Sequence, residues 1–166
     1  MIRRFRPEDA QPTRDIFVAA VRTGAAGRYS EAERLDWVPN PAMPEDWGDW
    51  LGGHITFVAE TAGRLTGFMM IERDGYLNMA FVTPDQMGKG VAGALYAEVL
   101  AEIEGLNLPR LTTLASRYAQ GFFRRRGWHF PADLGDFAAV EGFDPNQGPD
   151  QKPINRPMVL TLKATR

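Results

Sequence analysis

Apolar residues recur along this chain with two periods, and the switches between them lay out most of its elements. Residues 1–6 read as a short strand, and Pro7, Glu8 and Asp9 open a helix, because Pro suits a first helical turn and acids favour the positive end of the dipole. Ile16, Phe17, Ala20 and Val21 then fall on one helical stripe. After a glycine-bounded break at 24–27, Ser30 and Glu33 have the form of a capping box, which places a second helix over 31–37. Pro39, Pro41 and Pro44 stop it, and Trp47 and Trp50 lie in or beside a short helical turn that leads to Gly52 and Gly53. Runs 55–60 and 65–72 are strands joined by a turn at 61–64, and Asp74-Gly75 is a tight hairpin turn into a strand over 76–82.

The second half repeats the alternation. A helix over 91–104 carries Val91, Ala94, Leu95 and Val99 on one side and has Gly105 as its stop. A short strand at 111–115 follows, then a helical segment at 116–126 that Gly127 ends. Residues 130–143 form an irregular strand region, 144–152 a loop rich in Pro, Gly and Asn, and 154–162 a last strand in which Pro157 calls for a bulge or an edge. There is no internal repeat and no linker, so residues 1–166 are expected to form a single domain, the natural count at this length.

Composition narrows the classes. Apolar residues make up 44% and charged ones 24%, ordinary for a soluble globular chain, and the net charge of −2 argues against adhesion to nucleic acid or to an anionic membrane. With no cysteine there is no disulfide, thiolate nucleophile or cysteine zinc site, and His54 and His129 are too few for a histidine metal cluster, so no metal is expected. The first residues lack the apolar core of a signal peptide, and no run reaches the ~18 apolar residues of a membrane span. The cytoplasm is the default expectation.

The chemistry concentrates in Met87, Gly88, Lys89, Gly90, Val91, Ala92 and Gly93, between a strand and a helix. Glycines let backbone N–H groups approach an anion, and the helix start adds unpaired donors and dipole, so a phosphate-bearing partner is implied. A nucleoside triphosphate loop needs Ser or Thr after its Lys, whereas Gly90 and Val91 follow Lys89. Gly88-x-Gly90-x-x-Gly93 does satisfy dinucleotide spacing, but it lies mid-chain, and the acid about 20 residues on is missing from any strand.

A third loop type fits better. Met87-x-x-Gly90-x-Ala92 resembles the pyrophosphate loop Gln/Arg-x-x-Gly-x-Gly/Ala of the GNAT superfamily of acyl-CoA N-acetyltransferases, with Met87 in the Gln/Arg position. Downstream, Ser116-x-x-Ala119-x-x-Phe122-Phe123-x-x-x-Gly127-Trp128 resembles that family's Asn-x-x-Ala-x-x-Phe-Tyr-x-x-x-Gly-Phe segment, and residues 2–9 resemble its first strand and helix start. The resemblance implies an α/β (α+β) GNAT fold: one mixed, mostly antiparallel sheet of about seven strands flanked by about four helices, in the order βααβββαβαββ. It also implies that strands 76–82 and 110–115 splay apart, with acyl-CoA in the gap, contacted by residues 87–93, Phe81, Val82, Ser116 and Phe123.

The same resemblance implies direct attack of an amine on the thioester of acetyl-CoA, with the carbonyl oxygen met by backbone N–H near Phe81 and Val82. The family's thiolate-protonating Tyr is replaced by Phe123, and Tyr118 lies about 140° around the helix from it. Ser116 shares the Phe123 stripe to within about 20° if the helix begins there, which makes it the candidate donor. An alkylamine is only about one part in 2,500 neutral at pH 7, so a base helps; Glu72 is the charged candidate and Asn78 the polar residue mid-strand. Tyr29 and Trp37, with Trp47 and Trp50, fall in the segment that forms the acceptor wall, where aromatics suit a flat or cationic amine. The expected acceptor is a primary amine of a small molecule or peptide, a homodimer is compatible with the resemblance, and the alternative is a degenerate domain that binds acyl-CoA as a sensor or interaction module.

Overall fold

A computed structural model describes residues 1–131 and 155–163, so the irregular strand region expected at 130–143, apart from its first two residues, and the whole loop expected at 144–152 lie outside the described residues. The chain divides into two compact units, Met1–Leu108 and Pro109–Arg166.

In the first unit, β1 (Ile2–Arg4), β2 (Ile55–Thr61), β3 (Arg64–Ile71) and β4 (Tyr76–Val82) pair in sequence order, each antiparallel to the next. Hairpin chemistry sets this order. Ala62 and Gly63 both take positive φ (50° and 75°), as a two-residue turn between twisted strands requires, and Gly75 at φ 97° turns β3 into β4. Ile71 faces Leu77 while Met70 faces Met79, so Asn78 is an extra residue on β4 and forms a β-bulge.

Helices α1 (Ala10–Arg22), α2 (Glu31–Trp37) and α3 (Trp47–Gly53) precede β2, and α4 (Val91–Ile103) follows β4. The expected stripe of α1 is buried, and Ile16, Phe17 and Val21 join Trp47, Leu51, Val58, Phe68 and Met70 in one core. The short turn at Trp47 is a full helix of its own, one more than the expected order contains. The capping box of α2 is complete: Ser30 Oγ accepts from Glu33 N (3.2 Å) and Glu33 carboxylate accepts from Ser30 N (2.8 Å). Because α2 is short and has no buried residue besides what Trp37 covers in part, Ser30→Ala is expected to remove about 1 kcal/mol of local stability. Amide exchange across 31–37 should speed up about fivefold while the strands keep their protection.

Two expectations about α4 need correction. Its buried face is Leu95, Tyr96, Val99 and Ile103, and Ala94 is exposed. Gly105 does not stop it: the chain passes through a 3₁₀ turn, Glu104–Leu106, and reverses at Asn107, whose φ is 50°. Asn tolerates that left-handed conformation, so it serves where Gly was expected.

In the second unit, β5 (Arg110–Ser116) pairs antiparallel with β6 (Asn155–Thr161), and α5 (Arg117–Arg124) follows β5. Pro157 faces Leu114 in an unbroken register, so it introduces no bulge. His129 and Val159 exchange backbone hydrogen bonds (2.9 and 2.8 Å). Six strands thus stand among the described residues.

Candidate functional site

The glycine loop is built by what precedes it. Thr83 N donates to Thr66 O (2.9 Å), which carries β4 one residue further, and Pro84–Gln86 then form a 3₁₀ turn. Asp85 ties that turn to the start of β3 through Arg64 Nη2 at 2.6 Å, and the Arg64 guanidinium, helped by the Gln86 amide, holds its carboxyl well below the usual carboxylate range. The Gln86 amide is taken up by this contact.

Gly88 and Gly90 adopt φ of 76° and 86°, and a Cβ placed on either meets no atom within 4 Å. The loop therefore needs glycine for backbone conformation rather than for space against its own protein, and it presents an open surface. Gly90 is the N-cap of α4, and the first intrahelical bond is Ala94 N to Gly90 O at 3.0 Å. The N–H groups of Val91, Ala92 and Gly93 precede that bond and have no helical acceptor. Lys89 is exposed between the two left-handed glycines, and Met87, 38% exposed, lies against Gly24, where a Cβ would stand 2.7 Å from its Cε.

Gly67 lets α4 sit against β3. A Cβ there would meet Val91 Cγ1 and Phe81 O at 3.0 Å and Leu95 Cδ1 at 3.2 Å, so the first turn of α4 rests directly on the strand.

Along β4, Phe81 packs edge-on to Phe17 (4.7 Å between centroids), 5.8 Å from Phe68 and 6.4 Å from Trp37. Its side chain belongs to the core, and the register that pairs it with Phe68 turns its N–H toward β3, so of the two backbone donors expected at the site only that of Val82 is directed away from β3. Tyr29 and Trp37 are brought together at 5.4 Å, but Tyr29 is 4% exposed, so Trp37 is the aromatic surface of the pair. Trp47 is core: it is buried and its Nε1 donates to Thr13 Oγ1 at 3.1 Å.

Glu72 and Asn78 are brought together at the far end of β4, with Asn78 Nδ2 donating to Glu72 Oε1 at 2.8 Å. Burial, with the Glu72 charge adding to it, pushes the neighbouring Tyr76 phenol up to about 12.

In the second unit, Ser116 is the N-cap of α5, with extended backbone and Oγ accepting from Ala119 N at 3.2 Å. Helical stepping does not extend to it, which removes the expectation that it shares the Phe123 stripe. Phe123 is 1% exposed and packs 4.8 Å from Trp128. Arg126 lies over the Phe122 ring at 3.7 Å and donates to Phe122 O.

Two arrangements escaped sequence reasoning. Arg14, 7% exposed, stacks on Phe17 and Trp47 (both 5.1 Å) and donates to the carbonyls of Asn40 (2.6 Å) and Ala42 (3.1 Å), pinning the proline-rich segment to α1. Burial, and then the nearby Arg22 charge, lower its pKa from the ordinary guanidinium value. Its one visible signal was a charge beside an apolar stripe. Asp9, read as a helix-dipole acid, is instead a buried ion-pair partner of Arg3. Among the described residues no cluster of three metal-ligating side chains occurs, and no helix is long and apolar enough to cross a membrane.

These features match a known group of proteins. Residues 30–140 match the family model described as an acetyltransferase (GNAT) domain. The chain is 31% identical over 128 residues to the uncharacterized N-acetyltransferase YafP of Escherichia coli, covering 76% of this chain and 79% of that one. A GCN5-related N-acetyltransferase from Rhodopseudomonas palustris superposes with a TM-score of 0.77 at 26% identity, over 98% of this chain and 95% of the other. PaiA N-acetyltransferase of Thermoplasma acidophilum, solved in complex with coenzyme A, superposes at 0.75 with 14% identity over 98% of both chains. The chain belongs to the GNAT acetyltransferase family and has its α/β fold. Within that family it is an N-acetyltransferase, an acyltransferase drawing on acetyl-CoA.

Proposed function

We propose that this protein moves the acetyl group of acetyl-CoA to a primary amine of a small molecule or peptide by direct attack of the amine on the thioester. The observation that carries the reading is the loop at 87–93: two left-handed glycines open to solvent, followed by the unpaired N–H groups of the first turn of α4. Such donors suit a pyrophosphate without any acidic or metal partner. The pantetheine arm has the length of about four extended peptide units, roughly 14 Å. The first turn of α4 lies at the level of Val82, which faces Gly67, and β4 climbs about 3.3 Å per residue, so an arm running back along β4 from there spans about four residues and ends near Asn78. The thioester carbonyl then lies within reach of β4 backbone N–H groups directed away from β3.

Trp37, backed by Tyr29, forms an aromatic wall suited to a cationic or flat amine. A thiol of pKa about 8.5 leaves as its anion near neutral pH, so the step does not depend on a protein acid. The burial of Phe123 where the family has Tyr favours a second reading, a degenerate domain that binds acyl-CoA without turnover.

Titration with CoA and with acetyl-CoA, followed by thiol release across a panel of diamines, arylalkylamines and lysine peptides, separates these. Binding of both ligands with turnover of one amine supports acetyl transfer, binding without turnover supports the second reading, and no binding removes both.

A further inference from the structure

We infer that Asn78 is a positioning residue: as the extra residue of the β4 bulge it aims the Glu72 carboxylate as proton acceptor for the incoming ammonium. The inference rests on the acetyl-transfer reading above and names how its base is held.

The bulge is the first observation. Asn78 has no counterpart on β3, so its side chain is released from the regular alternation of the pleat, and its amide reaches back to the hairpin to donate to Glu72 Oε1 at 2.8 Å. The main chain of Glu72 is fixed at the same time, its N–H donating to Tyr76 O (2.9 Å) and its carbonyl accepting from Gly75 N (3.0 Å). The carboxylate is thus oriented from both ends.

The kind of partner is the second observation. Asp9, a structural carboxylate of the same chain, has both oxygens occupied by the Arg3 guanidinium (2.7 and 2.9 Å) and one also by a backbone N–H. Glu72 receives one neutral amide donor on one oxygen, and its Oε2 has no hydrogen-bond donor among the described residues. A cationic partner would make the carboxylate a poor base, whereas an amide fixes its direction and leaves its charge in place. The other titratable groups around it are Arg73 and Asp74 in the turn, Tyr76 on β4, and His54, which the Ile55–Ile71 register puts next along β2 and whose Nδ1 lies 2.7 Å from Trp50 O.

The ammonium gives one proton to Glu72 Oε2, and the neutral nitrogen attacks the acetyl carbon. The C–N bond forms, the C–S bond breaks with its electron pair on sulfur, and the second nitrogen proton ends on the thiolate. Glu72 then releases its proton to solvent.

The test is the pH dependence of kcat/KM for acetyl transfer to the best amine of the panel, in wild type, E72Q, N78A and N78D, with CoA affinity and a thermal melt for each. Glu72→Gln and Asn78→Asp are near-isosteric, so both keep the fold. E72Q is expected to lose about a hundredfold in kcat/KM together with the acidic limb of the profile. N78A is expected to lose about tenfold in kcat with the KM for acetyl-CoA unchanged. N78D sets two carboxylates side by side and should move the acidic limb upward by about a pH unit or more. An acidic limb that stays in place in both E72Q and N78D overturns the inference, as does a wild type that binds CoA but releases no thiol with any amine. If the wild type does not bind CoA at all, the acetyl-transfer reading falls first, and the inference falls with it.

Discussion

A Gly90→Glu protein is expected to bind CoA about 300-fold more weakly than wild type, close to 3.4 kcal/mol, while melting only a few degrees lower. Two effects add. Gly90 has φ 86°, a conformation that a residue with a Cβ leaves in the free protein and must recover on binding, at a cost of about 1 kcal/mol. A carboxylate at the mouth of the α4 N-terminus competes with the pyrophosphate for the same donors, and losing one charge-assisted hydrogen bond costs about 1.5–3 kcal/mol. Nothing in the protein lies within 4 Å of a Cβ at this position, so the side chain is accommodated without disturbing the core. Gly90→Ala isolates the conformational part and should cost only about fivefold. Calorimetric titration with CoA reads both values; a G90E protein with wild-type affinity would remove the loop from the cofactor site.

What the sequence disclosed about this fold is what short-range chemistry decides. The capping box of Ser30 and Glu33 fixes α2 at 31–37, and Asp74-Gly75 fixes the start of β4 at Tyr76, because each signal acts within a few residues. The glycine loop was legible for the same reason. The bulge at Asn78 was not, since it is defined by the register of β4 against β3, and neither strand states that register alone. For the same reason the sequence named Glu72 and Asn78 but not the bond between them. Ser116 was assigned to the wrong geometry because a residue in the sequence run of a helix can be its cap, with backbone dihedrals outside the helix. Arg14 was passed over because its partners are main-chain carbonyls about two dozen residues or more away, which leave no side-chain signature.

The largest stability effect is expected at Asp9. Asp9 is 3% exposed, and its carboxylate receives two hydrogen bonds from the Arg3 guanidinium and a third from Arg6 N at 2.8 Å, and so joins β1 to the start of α1. Burial alone would raise its pKa, but the Arg3 pair and the Arg6 N–H outweigh that and hold the group below the ordinary carboxylate value. Asp9→Asn keeps the volume and one acceptor but leaves the Arg3 guanidinium, whose side chain is 17% exposed, without its main counter-charge. Removing one partner of a buried pair costs 3–5 kcal/mol. Arg3 Nε retains Glu60 at 3.2 Å, which puts the expected loss at the low end, about 3 kcal/mol or a Tm lower by roughly 10 °C. The pH dependence carries its own sign. A folded pKa below the unfolded value of about 3.9 means the stabilisation is fully present above pH ~4 and is lost as pH falls through the folded value. Urea unfolding from pH 7 down to pH 2 should therefore show the wild-type and D9N free energies separated by about 3 kcal/mol at neutral pH and converging in acid. A gap that stays constant across that range would mean that Asp9 acts through shape and hydrogen bonding rather than through its charge.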